Sequence, residues 1–201
     1  MKRNGIYLVC LMTFCAGQAL AADDDGKWSS LSTAVGLQMW QPIYMGGTAD
    51  MSAVDPAVKP TIGGVLKVNY IFGENMGAHF RGTYGVHSTT APNRDAEGQA
   101  WAVGLGMDVF HAISDKVLLS NTMGFGYGQS SAKFEGAQGP DTTSLGAYFI
   151  TTLDITIFGP VGFWMDWGCQ VVGPSTAKYK DGEITTWHIN PLGAGGLRIS
   201  L

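Results

Sequence analysis

Apolar residues recur at every second position along most of this chain, and small or polar residues separate them. A period of two places neighbouring side chains on opposite faces of a β-strand, so each such block predicts a strand with one apolar face. No stretch after the first twenty-odd residues has the roughly 18 consecutive apolar residues of a spanning helix. The eight alternating blocks are 31–39, 62–72, 78–87, 101–109, 119–127, 145–157, 161–171 and 187–201.

The connections between the blocks alternate in length. Long connections are predicted at 42–60, 88–98, 130–141 and 173–183, and short ones at 73–75, 111–116 and 158–160. Long loops on one side and tight turns on the other are typical of bacterial outer-membrane barrels. An even number of strands lets the sheet close, which a bilayer requires because an open edge leaves backbone groups unpaired. The sequence therefore predicts an all-β fold, an eight-stranded antiparallel transmembrane β-barrel of the outer-membrane type.

A soluble β-sandwich is the rival prediction, because it also alternates. Its water-facing side would carry Lys, Glu and Asp freely, whereas here the non-apolar side is mostly Gly, Ala, Ser and Thr. Small residues suit the crowded interior of a narrow barrel. Only 14% of the residues are charged, against about a quarter in an average globular domain. Both observations favour the barrel.

The N-terminal segment has the pattern of a secretory signal. Basic residues at positions 2 and 3 precede an apolar stretch over 5–16, and the small residues Ala19 and Ala21 fit a signal-peptidase site. We expect a signal peptide over 1–21 and a barrel domain over 22–201, exported to the bacterial outer membrane. Of the three cysteines only Cys169 would remain, and we expect it to serve as a small apolar residue on a strand.

The charge balance excludes one class of partner. Twelve Lys and Arg against sixteen Asp and Glu give no basic excess, so nucleic acid is not an expected partner. No second histidine lies at metal-ligand spacing from another, and we expect neither a metal nor a cofactor. His79 and His188 point inward by the period of two, and we expect them to pack the interior.

Six charged residues fall on the small, inward face of the predicted strands. Buried charges need partners, because an isolated one costs several kcal/mol. We therefore predict a salt-bridged polar plug inside the barrel, wetted by a few waters, and no open conducting path. Its predicted members are Lys67, Arg81, Asp108, Asp154, Asp166 and Arg198.

Outward aromatic residues collect near the strand ends, where the two girdles of a membrane barrel meet the membrane interfaces. Those toward the long loops are Tyr84, Trp101, Tyr127 and Trp187, and those toward the short turns are Tyr70, Phe72 and Phe163. We call these seven residues the interface aromatics.

The signal segment, the eight blocks and the closing segment Leu192-Gly193-Ala194-Gly195-Gly196-Leu197-Arg198-Ile199-Ser200-Leu201 together resemble the small outer-membrane barrel family typified by OmpA, OmpX and Ail. The closing segment is similar to the family's C-terminal assembly signal, although this chain has Leu201 where the family usually has Phe. The resemblance implies recognition by the barrel-assembly machinery, contact with outer-membrane lipid and lipopolysaccharide, and a role in envelope structure and surface interaction.

Two other functions compete with that interpretation. A narrow channel for small or apolar solutes would use the lumen. A lipid A-modifying enzyme would use residues such as His87 and Ser88, but neighbours in a strand point to opposite faces and do not readily form a nucleophile–base contact. We expect no catalysis. The long loops carry charges of mixed sign and are candidates for binding a host surface ligand.

Overall fold

A computed structural model describes residues 31–40, 43–47, 57–58, 61–72, 75–91, 94–134, 137–138, 141–179 and 182–201. The predicted signal segment 1–21 lies outside these residues, so it stays a prediction. No helix in the described ranges is long and apolar enough to span a membrane. The strands are β1 (Leu31–Trp40), β2 (Ile43–Gly47), β3 (Ala57–Val58), β4 (Thr61–Ile71), β5 (Met76–Ala91), β6 (Arg94–Ser114), β7 (Val117–Phe134), β8 (Ala137–Gln138), β9 (Thr142–Phe158), β10 (Val161–Tyr179) and β11 (Gly182–Ser200).

Eight of these strands form one antiparallel sheet that closes on itself. The order is β1-β4-β5-β6-β7-β9-β10-β11, and β11 pairs with β1 from Ser32↔Ser200 to Trp40↔Leu192. Closure pairs the backbone all the way around the wall, which removes the edges that a sandwich would keep. The predicted eight-stranded barrel is confirmed, and the rival sandwich is excluded.

The three short strands lie in the predicted long connections. Strand β2 pairs with β11, β3 pairs with β5, and β8 pairs with β7. They extend the wall of the barrel on the side opposite the short turns.

Three of the predicted long loops are largely wrong, because the strands continue through them as hairpin arms. Strands β5 and β6 stay paired as far as Ala91↔Arg94, and β10 and β11 as far as Tyr179↔Gly182. Strand β7 likewise runs to Phe134. A hairpin arm satisfies its backbone by cross-strand hydrogen bonds, and an arm that extends beyond a bilayer would have no lipid-facing side. It therefore needs no alternation of apolar residues, and without that alternation the sequence pattern does not distinguish an arm from a loop.

Two of the three short turns are tighter than expected, and the turn between β4 and β5 is one residue longer than the predicted 73–75. Strand β6 continues to Ser114 and β7 begins at Val117, so residues 115–116 make the turn predicted over 111–116. The turn between β9 and β10 contains Gly159 at a φ of 48°, a left-handed conformation that favours glycine.

The outer wall carries the apolar side chains. Leu37, Leu105 and Phe125 are 68%, 68% and 70% exposed, and each barrel strand carries exposed apolar residues. Soluble monomers rarely expose a continuous apolar surface of this kind. Among the described residues, buried polar or charged side chains outnumber buried apolar ones, so the barrel has its apolar face outside and its polar face inside.

Candidate functional site in the barrel lumen

All six charged residues predicted for the lumen are buried there. Their exposed fractions lie between 1% for Asp166 and 8% for Asp154. Strand pairing explains part of their arrangement, since Lys67 on β4 lies directly opposite Arg81 on β5. Their hydrogen bonds and ion pairs divide the six into three groups.

The first group, the basic cluster, is built around Asp166 on β10. Lys67 Nζ lies 3.0 Å from Asp166 Oδ1, and Arg81 Nη1 donates to Oδ2 at 2.5 Å. The Thr152 hydroxyl donates to Oδ1 at 2.6 Å, and Arg81 Nη2 donates to the side-chain carbonyl of Gln38. One carboxylate therefore holds two cations that reach it from the opposite wall of the barrel.

An aromatic ring supports the basic cluster on one side. Lys67 Nζ lies 4.9 Å from the ring centroid of Trp164, which is within the range of a cation–π interaction. Trp164 is 1% exposed and donates its indole N–H to the backbone carbonyl of Leu197 at 3.2 Å. It packs with Ala34 and Val65, so an apolar layer lies directly beside the charges.

The second group, the histidine cluster, consists of His79, Asp108, Thr122 and Tyr148. His79 Nδ1 lies 3.0 and 3.1 Å from the two carboxylate oxygens of Asp108, and Thr122 donates to the same carboxylate. His79 Nε2 lies 3.0 Å from the Tyr148 hydroxyl. An ionised carboxylate only accepts hydrogen bonds, so Nδ1 carries a hydrogen; in the neutral ring Nε2 then accepts from Tyr148.

Glycines make room for the Tyr148 ring. A Cβ at Gly124 would lie 2.3 Å from Tyr148 Cζ, and one at Gly104 would lie 2.8 Å from its Cε1. At Gly106 a Cβ would lie 2.7 Å from His79 Cε1. The run of glycines along β6 and β7 is thus the surface on which the aromatic part of the histidine cluster rests.

The third group is an ion pair near the turn between β9 and β10. Arg198 Nε lies 2.6 Å from Asp154 Oδ1, and Arg198 Nη2 donates to Thr156 at 2.9 Å. A Cβ at Gly162 would lie 2.5 Å from Arg198 Nη2, so glycine is needed opposite the guanidinium. This pair occupies the lumen close to the short-turn end.

Farther from that turn, apolar side chains cross the lumen. Tyr148, Ile150 and Leu192 are buried together, and Trp40 packs against them. A small cavity of about 40 Å³ lies next to this layer, with Gln38, Arg81 and Gln170 among its lining. It has room for about three water molecules.

The seven interface aromatics all lie on the outer wall, each at least 39% exposed. The rings of Trp101 and Tyr127 contact at a tilt of 58° with centroids 5.7 Å apart, and the centroids of Tyr70 and Phe72 are 6.3 Å apart. The Tyr84 hydroxyl donates to Gln99 at 3.0 Å. Their assignment to membrane interfaces stays a prediction.

The remaining candidates contribute little to the lumen. His87 and Ser88 lie on β5, but their side chains are outside the described residues. Cys169 is half-buried on β10 and makes no disulfide. In the described ranges no group of three His, Cys, Asp or Glu side chains could hold a metal ion.

Sequence reasoning missed several partners of the charges. Gln38, Thr122 and Thr152 accept or donate within the clusters, and Trp164 covers Lys67. The sequence predicts only interior packing for His79, yet this ring contacts Asp108 directly. The period of two assigns all five residues to the inward face. Their place on that face is the one sign in the sequence that they could contact the charges. Their choice of partner depends on contacts across the barrel.

No protein-family model and no curated protein sequence matches this chain. Solved structures do match. Neisserial surface protein A superimposes with a TM-score of 0.60 at 13% identity, covering 87% of this chain and 99% of that one. OprG from Pseudomonas aeruginosa gives 0.55 at 10% identity, covering 85% and 96%.

Ail of Yersinia pestis, solved in complex with the heparin analogue sucrose octasulfate, gives a TM-score of 0.51 at 16% identity, covering 86% of this chain and 100% of that one. At these identities the similarity shows the fold. The chain has the fold of the small eight-stranded outer-membrane barrels, and the resemblance seen in the sequence is confirmed at that level.

Proposed function

We propose that this chain is a non-catalytic integral protein of a bacterial outer membrane, with a role in envelope structure and surface interaction. The observation that carries the proposal is the inverted distribution of side chains. A closed wall exposes apolar residues outward, while charged side chains, joined into three groups by ion pairs and hydrogen bonds, lie in the lumen. That distribution suits a protein surrounded by lipid and sealed against water flow.

Membrane insertion is tested by fractionation and by gel migration. We expect the protein in the outer-membrane fraction, together with a shift between unboiled and boiled samples, because a closed barrel resists detergent until it is heated. The interface aromatics and lipid-facing residues would contact membrane lipid and lipopolysaccharide, and the segment 192–201 would be read by the barrel-assembly machinery. Recovery of the processed chain from the soluble fraction without detergent would contradict the proposal.

A sealed lumen is tested by conductance. We expect the purified protein to give no current above background in planar bilayers, because the three charge groups and the layer of Trp40, Ile150 and Leu192 occupy the lumen. Reproducible single-channel steps from the wild-type protein would instead support the alternative function, a narrow channel for small solutes.

Surface interaction is assigned to the connections on the side opposite the short turns. The hairpin arms of β5–β6, β7–β9 and β10–β11 extend the barrel there, as binding loops on a rigid scaffold do. Deleting 44–59 should lower adhesion of expressing bacteria to host cells or matrix without changing the heat-dependent gel shift. If bacteria with this deletion adhere as well as the wild type does, the connection between β1 and β4 has no part in the proposed surface interaction.

The absence of catalysis has its own test. For a non-catalytic barrel we expect an unchanged lipid A mass spectrum when the protein is overexpressed.

A further inference from the structure

The cavity beside the basic cluster has a polar floor. Gln38 and Arg81 line it from β1 and β5, and both are 6% exposed. Thr83, Tyr148 and Gln170 contribute further polar groups to its wall. The volume of about 40 Å³ admits about three water-sized molecules, which is enough for one small ion and a water but not for a sugar or a lipid headgroup.

The three positive and three negative charges that the structure describes in the lumen cancel in number. They are not evenly distributed among the three groups. Asp166 carries one negative charge and is in contact with both Lys67 and Arg81. Asp108 accepts hydrogen bonds from His79 and Thr122, and Asp154 forms an ion pair with Arg198. Counted alone, the basic cluster carries one more positive charge than negative, and the negative charge of Asp108 in the histidine cluster is its counterpart. The cation of the basic cluster that lines the cavity is Arg81.

The polar groups at the floor are suited to an occupant that accepts hydrogen bonds. Arg81 uses one nitrogen for Asp166 and another for the carbonyl of Gln38. A guanidinium has five N–H donors, so others are available. The carbonyl of Gln38 is already used, so Gln38 can offer the cavity its NH₂ group. Hydrogen-bond donors and a guanidinium cation therefore meet at the same place.

We propose that this cavity is a binding site for one small anion, of the size of chloride, bromide or formate. The anion accepts hydrogen bonds from Arg81 and Gln38 and lies against the guanidinium side of the basic cluster. In the water-poor lumen its attraction to Arg81 is stronger than at a solvated surface.

The test uses the folded protein in detergent micelles, with bromide and formate as probes against gluconate at equal ionic strength. We expect bromide and formate, but not gluconate, to raise the Tm of the wild-type protein. Crystals grown in bromide should show an anomalous peak within hydrogen-bond distance of Arg81.

The matched variants are Gln38→Glu and Gln99→Glu, which make the same change from amide to acid. Gln38→Glu places a negative charge at the floor, so we expect at least a tenfold weaker response to bromide and no anomalous peak. Gln99 is exposed on the outer wall, so Gln99→Glu should respond as the wild type does. Only ordered water in the cavity, or an equal bromide response in Gln38→Glu and the wild type, would overturn the proposal.

Discussion

Two carboxylates lie in the same lumen in different electrostatic surroundings. Asp166 holds Lys67 and Arg81, two cations that reach it from across the barrel. Asp108 instead accepts hydrogen bonds from His79 and Thr122. Six charges that cancel in a count are thus unevenly matched in space. A polar lumen is held together by local geometry, and counting charges in the sequence does not reveal which carboxylate depends on cations.

The largest expected effect comes from removing the charge at the basic cluster. Asp166→Asn leaves Lys67 and Arg81 buried without their carboxylate, and breaking a buried ion pair in this way costs about 3–5 kcal/mol. We expect this loss in the free energy of unfolding, measured by urea titration of the protein folded into lipid vesicles. Asp115→Asn, at an exposed turn position, is the control and should change stability by less than about 0.5 kcal/mol. Equal stabilities of the two variants would refute the role assigned to Asp166.

A smaller loss is expected from crowding the histidine cluster. Gly124→Ala puts a methyl group 2.3 Å from the present position of Tyr148 Cζ, so the ring must shift. Overpacking of this kind costs about 1–3 kcal/mol. At Gly193 an added Cβ meets nothing within 4 Å, so Gly193→Ala is the matched control and should not destabilise. If both variants unfold at the same urea concentration as the wild type, the ring of Tyr148 is not tightly packed against Gly124 of β7.

The smallest loss of stability is expected at Asp108, and it tests directly whether the two carboxylates differ. Asp108→Asn keeps a carbonyl that accepts the His79 hydrogen bond and leaves the ion pairs of Asp166 in place. We expect a loss of about 1 kcal/mol, the usual scale for one weakened hydrogen bond, and therefore well below that of Asp166→Asn. Both variants would be measured in the same vesicles and at the same pH. Similar losses for the two would show that the clusters are electrostatically equivalent.

The barrel itself could be predicted because its physics is local and periodic. Leu105 lies on the outer wall and Asp108 in the lumen because they are an odd number of residues apart on one strand. The same rule, applied to the other strands, assigns Lys67, Arg81 and Arg198 to the inward face, and all three side chains are buried. The rule did not find the arms, which pair as far as Ala91↔Arg94, because a strand pair that extends beyond a bilayer needs no apolar face.

The sequence by itself determined which face each side chain takes, since the period of two follows from the geometry of one strand. Only the closed tertiary structure decided the partners. Lys67 meets an aspartate 99 positions away, and Tyr148 reaches His79 across 69 positions, because closing the sheet brings distant strands to opposite sides of one narrow lumen. The pattern of one strand does not predict contacts between residues so far apart in the sequence. The basic cluster, the histidine cluster and the cavity beside them therefore form only when the barrel is closed.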